Sequence, residues 1–186
     1  MSTPAPPHYT SVPPWTREPV VESPDATGTA FTVLAVGTGS DATGAAAIVD
    51  AWLPTLPVGA PVRVHTSEDV AGAIAALRTD LAGARVGHRV LVAGSATDCL
   101  AVRAAALGSS LLDSELTVGV TSVATRAVWC VHCSATTIAE AGLEDVVTCP
   151  SCRKDLVVYP HVSRRTGAHL GFQVDAETLP DQEVRA

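Results

Sequence analysis

Four cysteines in two closely spaced pairs are the side chains of this sequence that are best suited to chemistry. Cys130 and Cys133 form the first Cys-x2-Cys pair, and Cys149 and Cys152 form the second. Such a turn brings two thiolates to one ion, so two turns supply a complete tetrahedral shell. A short domain with few large apolar residues gains much of its folding free energy from that ion. The spacing therefore predicts one metal ion bound by these four cysteines.

The identity of the metal is left open between zinc and mononuclear iron, because both are bound by four thiolates. Rubredoxin-type iron turns usually have glycine after the second cysteine, whereas Ser134 and Arg153 occupy those positions here. This difference favours zinc. His132 lies inside the first turn and is expected to be exposed, since four thiolates complete the shell. Cys99 stands alone and is expected to be a small buried hydrophobe.

A basic segment follows the second cysteine pair. Residues 161–172 hold two adjacent arginines, two histidines and two glycines. Arg164 and Arg165 are predicted to bind a carboxylate or phosphate of a cofactor or partner. The alternative is a solvated turn between two strands of a ribbon, and the sequence favours neither.

Strand and helix patterns alternate between residues 30 and 123. A short apolar run predicts a buried strand at 31–36, and further strands are predicted at 62–65, 89–93 and 116–120. Helices with one apolar face are predicted between them, with caps at Ser40 or Asp41, at Ser67 and at Ser95. Short links and uniformly apolar strands imply a Rossmann-like parallel sheet flanked by helices.

Parallel sheets of this kind bind ligands at the carboxyl ends of their strands. The chain has glycine-rich turns at two of these ends. Gly37, Gly39, Gly94 and Ser95 are therefore predicted to contact a cofactor. A simple reversal of the chain is the alternative explanation for such turns.

The pattern divides the chain into an α/β domain and a small four-cysteine metal-binding ribbon of the rubredoxin or zinc-ribbon type. The expected order is a proline-rich tail at 1–29, the Rossmann-like domain at 30–123, the ribbon at 124–178 and a C-terminal tail at 179–186. Seven of the 13 prolines lie in the first tail. Tyr9 and Trp15 are candidates to anchor that tail on a partner, and disorder is the alternative.

Composition narrows the classes of function. The net charge of -7 argues against nucleic-acid binding, which draws on a basic field. The longest apolar runs are too short to span a bilayer, and no signal peptide is recognised. Cysteines in close pairs are more typical of metal sites in a reducing compartment than of secreted disulfides. A cytoplasmic protein without membrane or nucleic-acid partners is expected.

Residues 126–175 resemble the C-terminal domain of the small A subunit of dimethylamine monooxygenase, and the α/β part extends the resemblance to about residues 30–175. The shared features are Trp129 before the first cysteine pair, proline between Cys149 and Cys152, and the His-Val-Ser-Arg-Arg and Leu-Gly-Phe segments within residues 161–172.

The resemblance implies a multi-subunit, NADPH-dependent, haem-containing bacterial oxygenase that converts dimethylamine to methylamine and formaldehyde. Haem, flavin and iron–sulfur groups are expected on the haem and reductase subunits that would be its partners. This chain would be a structural or electron-relaying subunit without catalytic residues of its own.

A weaker resemblance links residues 33–39 and 90–99 to the nicotinamide-binding module of ferredoxin reductases. The Thr-Pro of that module is absent here, and Ala93-Gly94-Ser95 stands where it has Cys-Gly-Pro. Two alternative functions therefore stay open: a stand-alone metal ribbon that binds proteins, and a nicotinamide-binding reductase-like protein.

Overall fold

The apolar runs between residues 30 and 120 form a four-stranded parallel sheet. The computed structural model describes residues 11–174, and its first sheet has the order β2-β1-β3-β4. Every neighbouring pair in this sheet is parallel. The strands are β1 (Ala30–Val36), β2 (Val62–Ser67), β3 (His88–Gly94) and β4 (Leu116–Val120). The prediction of an α/β fold with a parallel sheet is confirmed.

Three α-helices cover the two faces of this sheet. They are α1 (Gly39–Trp52), α2 (Val70–Leu81) and α3 (Ala96–Gly108). Short 3-10 turns lie at Pro14–Thr16, Leu53–Thr55 and Asp113–Glu115. None of the helices in the part of the chain described by the structure is long and apolar enough to cross a membrane.

The side chains of β1 alternate between two hydrophobic cores, as the twofold period of a strand requires. Phe31 and Val33 pack with α1, whereas Leu34 and Val36 pack with α2 and α3. Six of the seven residues of β1 are buried. This two-sided burial explains why the strand is apolar except at Thr32, whose buried hydroxyl donates to the carboxylate of Asp80 at 2.9 Å.

The caps of two helices differ from the prediction. The N-cap of α2 is Asp69, whose carboxylate accepts the N–H of Gly72. Ser67 instead ends β2 and donates its hydroxyl to the carbonyl of Asp69. Thr38 is the N-cap of α1 and makes no side-chain capping bond. The prediction for α3 is confirmed, because Ser95 accepts the N–H of Asp98.

The rest of the described chain forms a five-stranded mixed sheet with the order β6-β5-β9-β8-β7. Only the β5–β9 pair is parallel, and the other pairs are antiparallel. The strands are β5 (Thr125–Cys130), β6 (Thr136–Glu140), β7 (Val146–Thr148), β8 (Asp155–Val162) and β9 (His169–Gln173). Its small core contains Val128, Leu156 and Val158 together with two of the cysteines.

The segment that precedes β1 packs on both sheets within its described part. Val12 and Trp15 are buried in the core beside α3. Ser11 bonds the backbone of Val162 in β8. The sequence left the order of this segment open, and the structure shows residues 11–29 packed against the rest of the chain. Tyr9 lies outside the described residues, as does the segment at 179–186.

The same segment also runs along the outer edge of β4. Val20 accepts the N–H of Val120 at 2.7 Å, and the N–H of Glu22 donates to the carbonyl of Val118 at 3.0 Å. These antiparallel contacts satisfy backbone groups that an edge strand would otherwise leave unpaired.

Candidate metal centre and neighbouring cleft

The two Cys-x2-Cys turns have the same backbone hydrogen bonds. In the first turn the carbonyl of Cys130 accepts the N–H of Ser134 at 2.8 Å, and in the second the carbonyl of Cys149 accepts the N–H of Arg153 at 2.9 Å. The N–H of each of these cysteines then donates to the carbonyl five residues later. Because these hydrogen bonds match, the two sulfurs of each turn are held in the same arrangement.

Both turns require a left-handed backbone directly after the second cysteine. Ser134 has a φ of 64° and Arg153 a φ of 62°. These are the positions where the sequence showed residues other than glycine, and they adopt the conformation that glycine reaches most easily. The conformation also aims the N–H of the next residue, Ala135 or Lys154, at the sulfur of the second cysteine.

The four sulfur atoms converge on one point. Each Sγ lies within 4.8 Å of the others. The Sγ atoms of Cys130 and Cys152 are 3.7 Å apart, and those of Cys133 and Cys149 are 3.6 Å apart. Four thiolates at about 2.3 Å from a zinc ion would be separated by roughly 3.8 Å. The four cysteines therefore fit one tetrahedral metal ion.

Burial makes this a closed site. Cys130 and Cys149 are fully buried, and Cys133 and Cys152 are half-buried. With four protein ligands present, no position is left for a substrate, which is typical of structural sites. His132 is exposed, as predicted, and is not a member of the cluster.

The thiols differ in how easily they lose protons. The N–H of Ala135 stabilises the thiolate of Cys133 and lowers its pKa to about 6. The N–H of Lys154 lowers the pKa of Cys152, but burial and the three neighbouring sulfurs outweigh it and raise that pKa to about 12. A thiolate at one cysteine thus makes deprotonation of its neighbours less favourable, because the negative charges repel each other. A bound cation would relieve this repulsion.

The basic segment forms a turn between β8 and β9 that lies against α3. Gly167 in this turn has a φ of 69°, and a Cβ atom there would collide with the backbone of Leu100. Arg164 donates to Asp113 at 2.9 Å, and Arg103 of α3 holds the same carboxylate with two bonds of 2.6 and 2.7 Å. The hydrogen bonds from Arg103 lower the pKa of Asp113.

The structure separates the predicted cofactor residues into two places. Arg164 and Arg165 line a groove at the C-terminal end of α3. Gly37 and Ser95 line a different cleft, at the carboxyl ends of β1 and β3. Neither of the other two predicted glycines is among the lining residues of that cleft.

Those other two glycines, Gly39 and Gly94, have local roles. Gly39 has a φ of 56° at the start of α1. A Cβ atom on Gly94 would lie 2.9 Å from the carbonyl oxygen of Val36, so this glycine allows β3 to pack against β1. The requirements of the local backbone thus explain why glycine occupies these two positions.

The cleft measures about 520 Å³ and lies between the two sheets. One wall contains the beginnings of α1, α2 and α3, and the other contains residues of β5, β6 and the basic turn. Four of its lining residues are acidic, and none is lysine, arginine or histidine. The acidic residues are Asp41, Glu68, Asp69 and Asp98. Sequence patterns identified several of them only as residues near helix ends.

Two basic side chains are buried in the second sheet, Arg126 of β5 and His169 of β9. No sequence pattern indicated that they would be buried. His169 is fully buried, and within the described chain no side chain bonds its ring nitrogens, although the backbone of Tyr159 lies close enough to favour the protonated ring. Arg126 is 6% exposed and donates to the carbonyl of Thr16 at 3.2 Å. Burial and the charge of Arg126 lower the pKa of His169 to about 4.

Comparisons with known proteins bear on the cysteine-bearing part of the chain. Residues 127–172 match the family described as "Dimethylamine monooxygenase subunit DmmA-like, C-terminal domain". The heme-dependent oxidative N-demethylase delta subunit of Ectopseudomonas mendocina (strain ymp) is 37% identical over 101 residues. That match covers 54% of this chain and 57% of the relative. No solved structure matches the chain.

Proposed function

We propose that this chain is a non-haem subunit of a haem-dependent oxidative N-demethylase, because residues 127–172 match the DmmA-like C-terminal domain family. The relative from Ectopseudomonas mendocina is itself a delta subunit of such an enzyme. The match includes just over half of that relative, so the complex and its activity are inferred by similarity. The observation that carries the proposal is the cysteine-bearing domain that the family and the structure share.

The reaction proposed for the complex is the NADPH-dependent conversion of dimethylamine to methylamine and formaldehyde in the cytoplasm. Haem, flavin and iron–sulfur groups would reside on the haem and reductase subunits. This chain would supply none of the reacting groups. Its four-cysteine site is consistent with that role, because all four ligands of a bound ion would come from the protein.

The proposed metal is zinc, and its proposed role is to fix the shape of a docking surface. Two turns with matching hydrogen bonds hold four sulfurs at tetrahedral spacing, and the core of this sheet is otherwise small. Mononuclear iron, which would make the domain an electron relay, is the alternative. A visible absorption spectrum of the purified chain separates the two, because a zinc–thiolate site is colourless and an iron–thiolate site is not.

A Rossmann-like domain at 30–123 and a rubredoxin-like or zinc-ribbon-like domain at 124–178 remain our proposed division of the chain. The strand order β2-β1-β3-β4 supports the first assignment, because the chain reverses direction across the sheet between β1 and β3. The two Cys-x2-Cys turns at one end of a small sheet support the second. Contact of Gly37 or Ser95 with a cofactor is retained as part of this proposal because both line the cleft, and Gly39 and Gly94 would support the turns beside them.

The basic turn is the proposed contact with a partner subunit. Arg164 is exposed but already pairs with Asp113, whereas Arg165 is exposed and has no ion pair among the described residues. Arg165 is therefore the side chain best placed to bind a carboxylate of a neighbouring subunit. A solvated turn remains the alternative.

Co-purification tests the proposal. The tagged chain is isolated from its native cell, and we expect a haem-containing subunit and a reductase subunit to accompany it, with near one equivalent of zinc. Arg165→Ala should reduce the recovery of the partners, and Arg78→Ala, which changes an exposed arginine of α2, should not. Recovery of the chain alone, with its metal, would instead support a stand-alone ribbon.

A further inference from the structure

The groove at the C-terminal end of α3 combines an apolar floor with a basic rim. The floor contains Ala104, Leu107, Leu111 and Leu112, and the rim contains Arg164 and Arg165 of the basic turn. Three arginines, at positions 103, 164 and 165, outnumber the two nearby carboxylates of Asp113 and Glu115. The groove is therefore locally positive, although the net charge of the whole chain is -7.

Two leucines of this groove are left without a cover by the described chain. Leu112 is 63% exposed. Leu107 is half-buried and belongs to none of the three hydrophobic cores formed by the described residues, whereas Leu111 packs against the core of the parallel sheet. Uncovered leucines that share one groove with arginines are typical of protein interfaces, where an apolar centre is combined with arginine.

The groove is held in shape by hydrogen bonds that do not involve a ligand. The last carbonyls of α3 accept three N–H groups from the turn that follows the helix. The N–H of Leu112 donates to the carboxylate of Glu115 at 3.0 Å, and Arg103 holds the next residue, Asp113, with two bonds. Because the backbone around Leu112 is already bonded, a partner that covers its side chain binds without having to order this turn.

The open side of the groove favours a protein segment over a small molecule. Five of the eight lining residues are exposed, so a small molecule lying on them would keep much of its surface in water. Pockets for small molecules bury roughly 70–90% of the surface of the ligand. A longer segment buries more surface, because it continues past both ends of the groove.

The two ends of the chain outside the described residues match the groove less well. Residues 1–10 precede Ser11, which bonds Val162 beside the basic turn, but they contain no aspartate or glutamate. Residues 175–186 contain four carboxylates, but they follow Val174, whose N–H donates to Asp155 at the end of β8 that is opposite the basic turn. These observations favour a segment of another protein.

We propose that the groove binds an acidic segment of a partner protein, in which a carboxylate lies close to a large apolar side chain. The carboxylate accepts hydrogen bonds from Arg165, which has no ion pair among the described residues. The apolar side chain packs on Leu107 and Leu112. This inference rests on the proposed function for the existence of a partner subunit, and it adds the surface and the chemistry by which that partner is recognised.

Site-specific cross-linking in the native cell identifies what covers the groove. Leu112 is replaced in the full-length chain by the photoreactive amino acid p-benzoylphenylalanine, and the linked peptides are sequenced by mass spectrometry. We expect a link to a segment of another protein with aspartate or glutamate within a few residues. The same probe at Val58, which is fully exposed outside the groove, is the control and should not link to that segment.

Substitutions then measure the two parts of the groove separately, with the partner identified by the cross-link as the probe. Leu112→Ala should weaken the affinity for this partner about tenfold. Arg165→Glu should weaken it at least as much and should reduce its dependence on salt. Val86→Ala, at an exposed apolar side chain outside the groove, should leave the affinity unchanged.

Several outcomes would overturn the inference. They are the absence of any link from position 112, a link to this chain or to a second copy of it, a link to a segment without acidic residues, and an unchanged affinity in both variants. If a haem-containing subunit still accompanies Leu112→Ala and Arg165→Glu at the wild-type level, the groove is rejected while the proposed subunit role stands. Recovery of the chain without any partner would refute both.

Discussion

The inner strands β1 and β3 of the parallel sheet bury side chains on both faces, whereas every strand of the cysteine-bearing sheet leaves about half or more of its residues partly or fully exposed. The edge strand β2 is the exception in the first sheet, because none of its residues is buried. Six of the seven residues of β1 are buried, and no residue of β6 is. Two of the five buried residues in the core of the second sheet are cysteines. From this comparison we expect apolar burial to stabilise the first region and a metal ion held by the four cysteines to stabilise the second.

Removal of one sulfur ligand should give the largest effect and confine it to the second region. Cys149→Ser is expected to lower the metal content from one equivalent to near zero, with a loss on the order of 10 kcal/mol of metal-linked stability. Hydrogen exchange should then show lost protection in β5 to β9 and retained protection in β1 to β4. Cys99→Ala, which removes the cysteine in α3, is the control and should keep the metal. Equal loss of protection in both sheets would contradict the comparison.

A substitution that creates a cavity in the core of the parallel sheet should destabilise the first region without releasing the metal from the second. Leu34 is fully buried between β1 and the helices α2 and α3. Leu34→Ala should lower the free energy of unfolding by about 2–5 kcal/mol in urea titration. The metal content should stay at one equivalent. Leu112→Ala, at a side chain that is 63% exposed, should change stability little. Metal loss in Leu34→Ala would show that the two regions fold as one unit.

The buried His169 should make the stability of the second region depend on pH. His169 has a pKa of about 4 in the fold and about 6.5 when unfolded. A proton therefore binds the unfolded chain first, and stability is lost as pH falls from about 6.5 toward 4. Between pH 7 and pH 5 the loss attributable to this group is about 2 kcal/mol.

His169→Gln should remove that part of the pH dependence. Because both proteins keep the same four cysteines, the difference between their urea unfolding curves isolates the histidine. Arg126 is the nearest cation, so its removal should raise the pKa of His169 and reduce the same slope. An identical pH dependence in wild type and His169→Gln would refute the prediction.

The smallest expected effect concerns a helix cap in the first region. Asp69→Ala removes the carboxylate that accepts the N–H of Gly72 and should lower stability by about 1 kcal/mol. Glu68→Ala, at the neighbouring exposed carboxylate, is the matched control and should have a smaller effect. Thermal unfolding followed by circular dichroism compares them, and neither change should affect the metal content.

Sequence patterns predicted the local features of both regions better than their tertiary contacts. The spacing of the cysteines predicted a cluster that fits one ion, since each turn is a local structure. The apolar runs predicted the parallel strands. The cap of α2 was misassigned to Ser67, because Ser67 and Asp69 both precede the helix and only the backbone conformation decides between them.

Contacts between distant segments could not be predicted in this way. The acidic cleft combines residues near position 40, position 98 and position 137, and only the fold brings them together. The burial of Trp15 depends on a surface formed by α3, so its proline-rich surroundings gave no indication of it. The buried His169 likewise resembles an ordinary polar residue in the sequence.

The two edges of the parallel sheet differ, because residues 20–22 cover the edge at β4 and no strand covers the edge at β2 within the described residues. At β4 the backbone of Val20 and Glu22 already bonds the edge. On the opposite side no strand of residues 11–174 pairs with the outer edge of β2, where Val62 and Val64 are 37% and 47% exposed. Lateral growth of this sheet, whether by orderly strand addition or by aggregation, can therefore begin at β2 without displacing any part of the described chain, whereas growth at β4 must first detach residues 20–22.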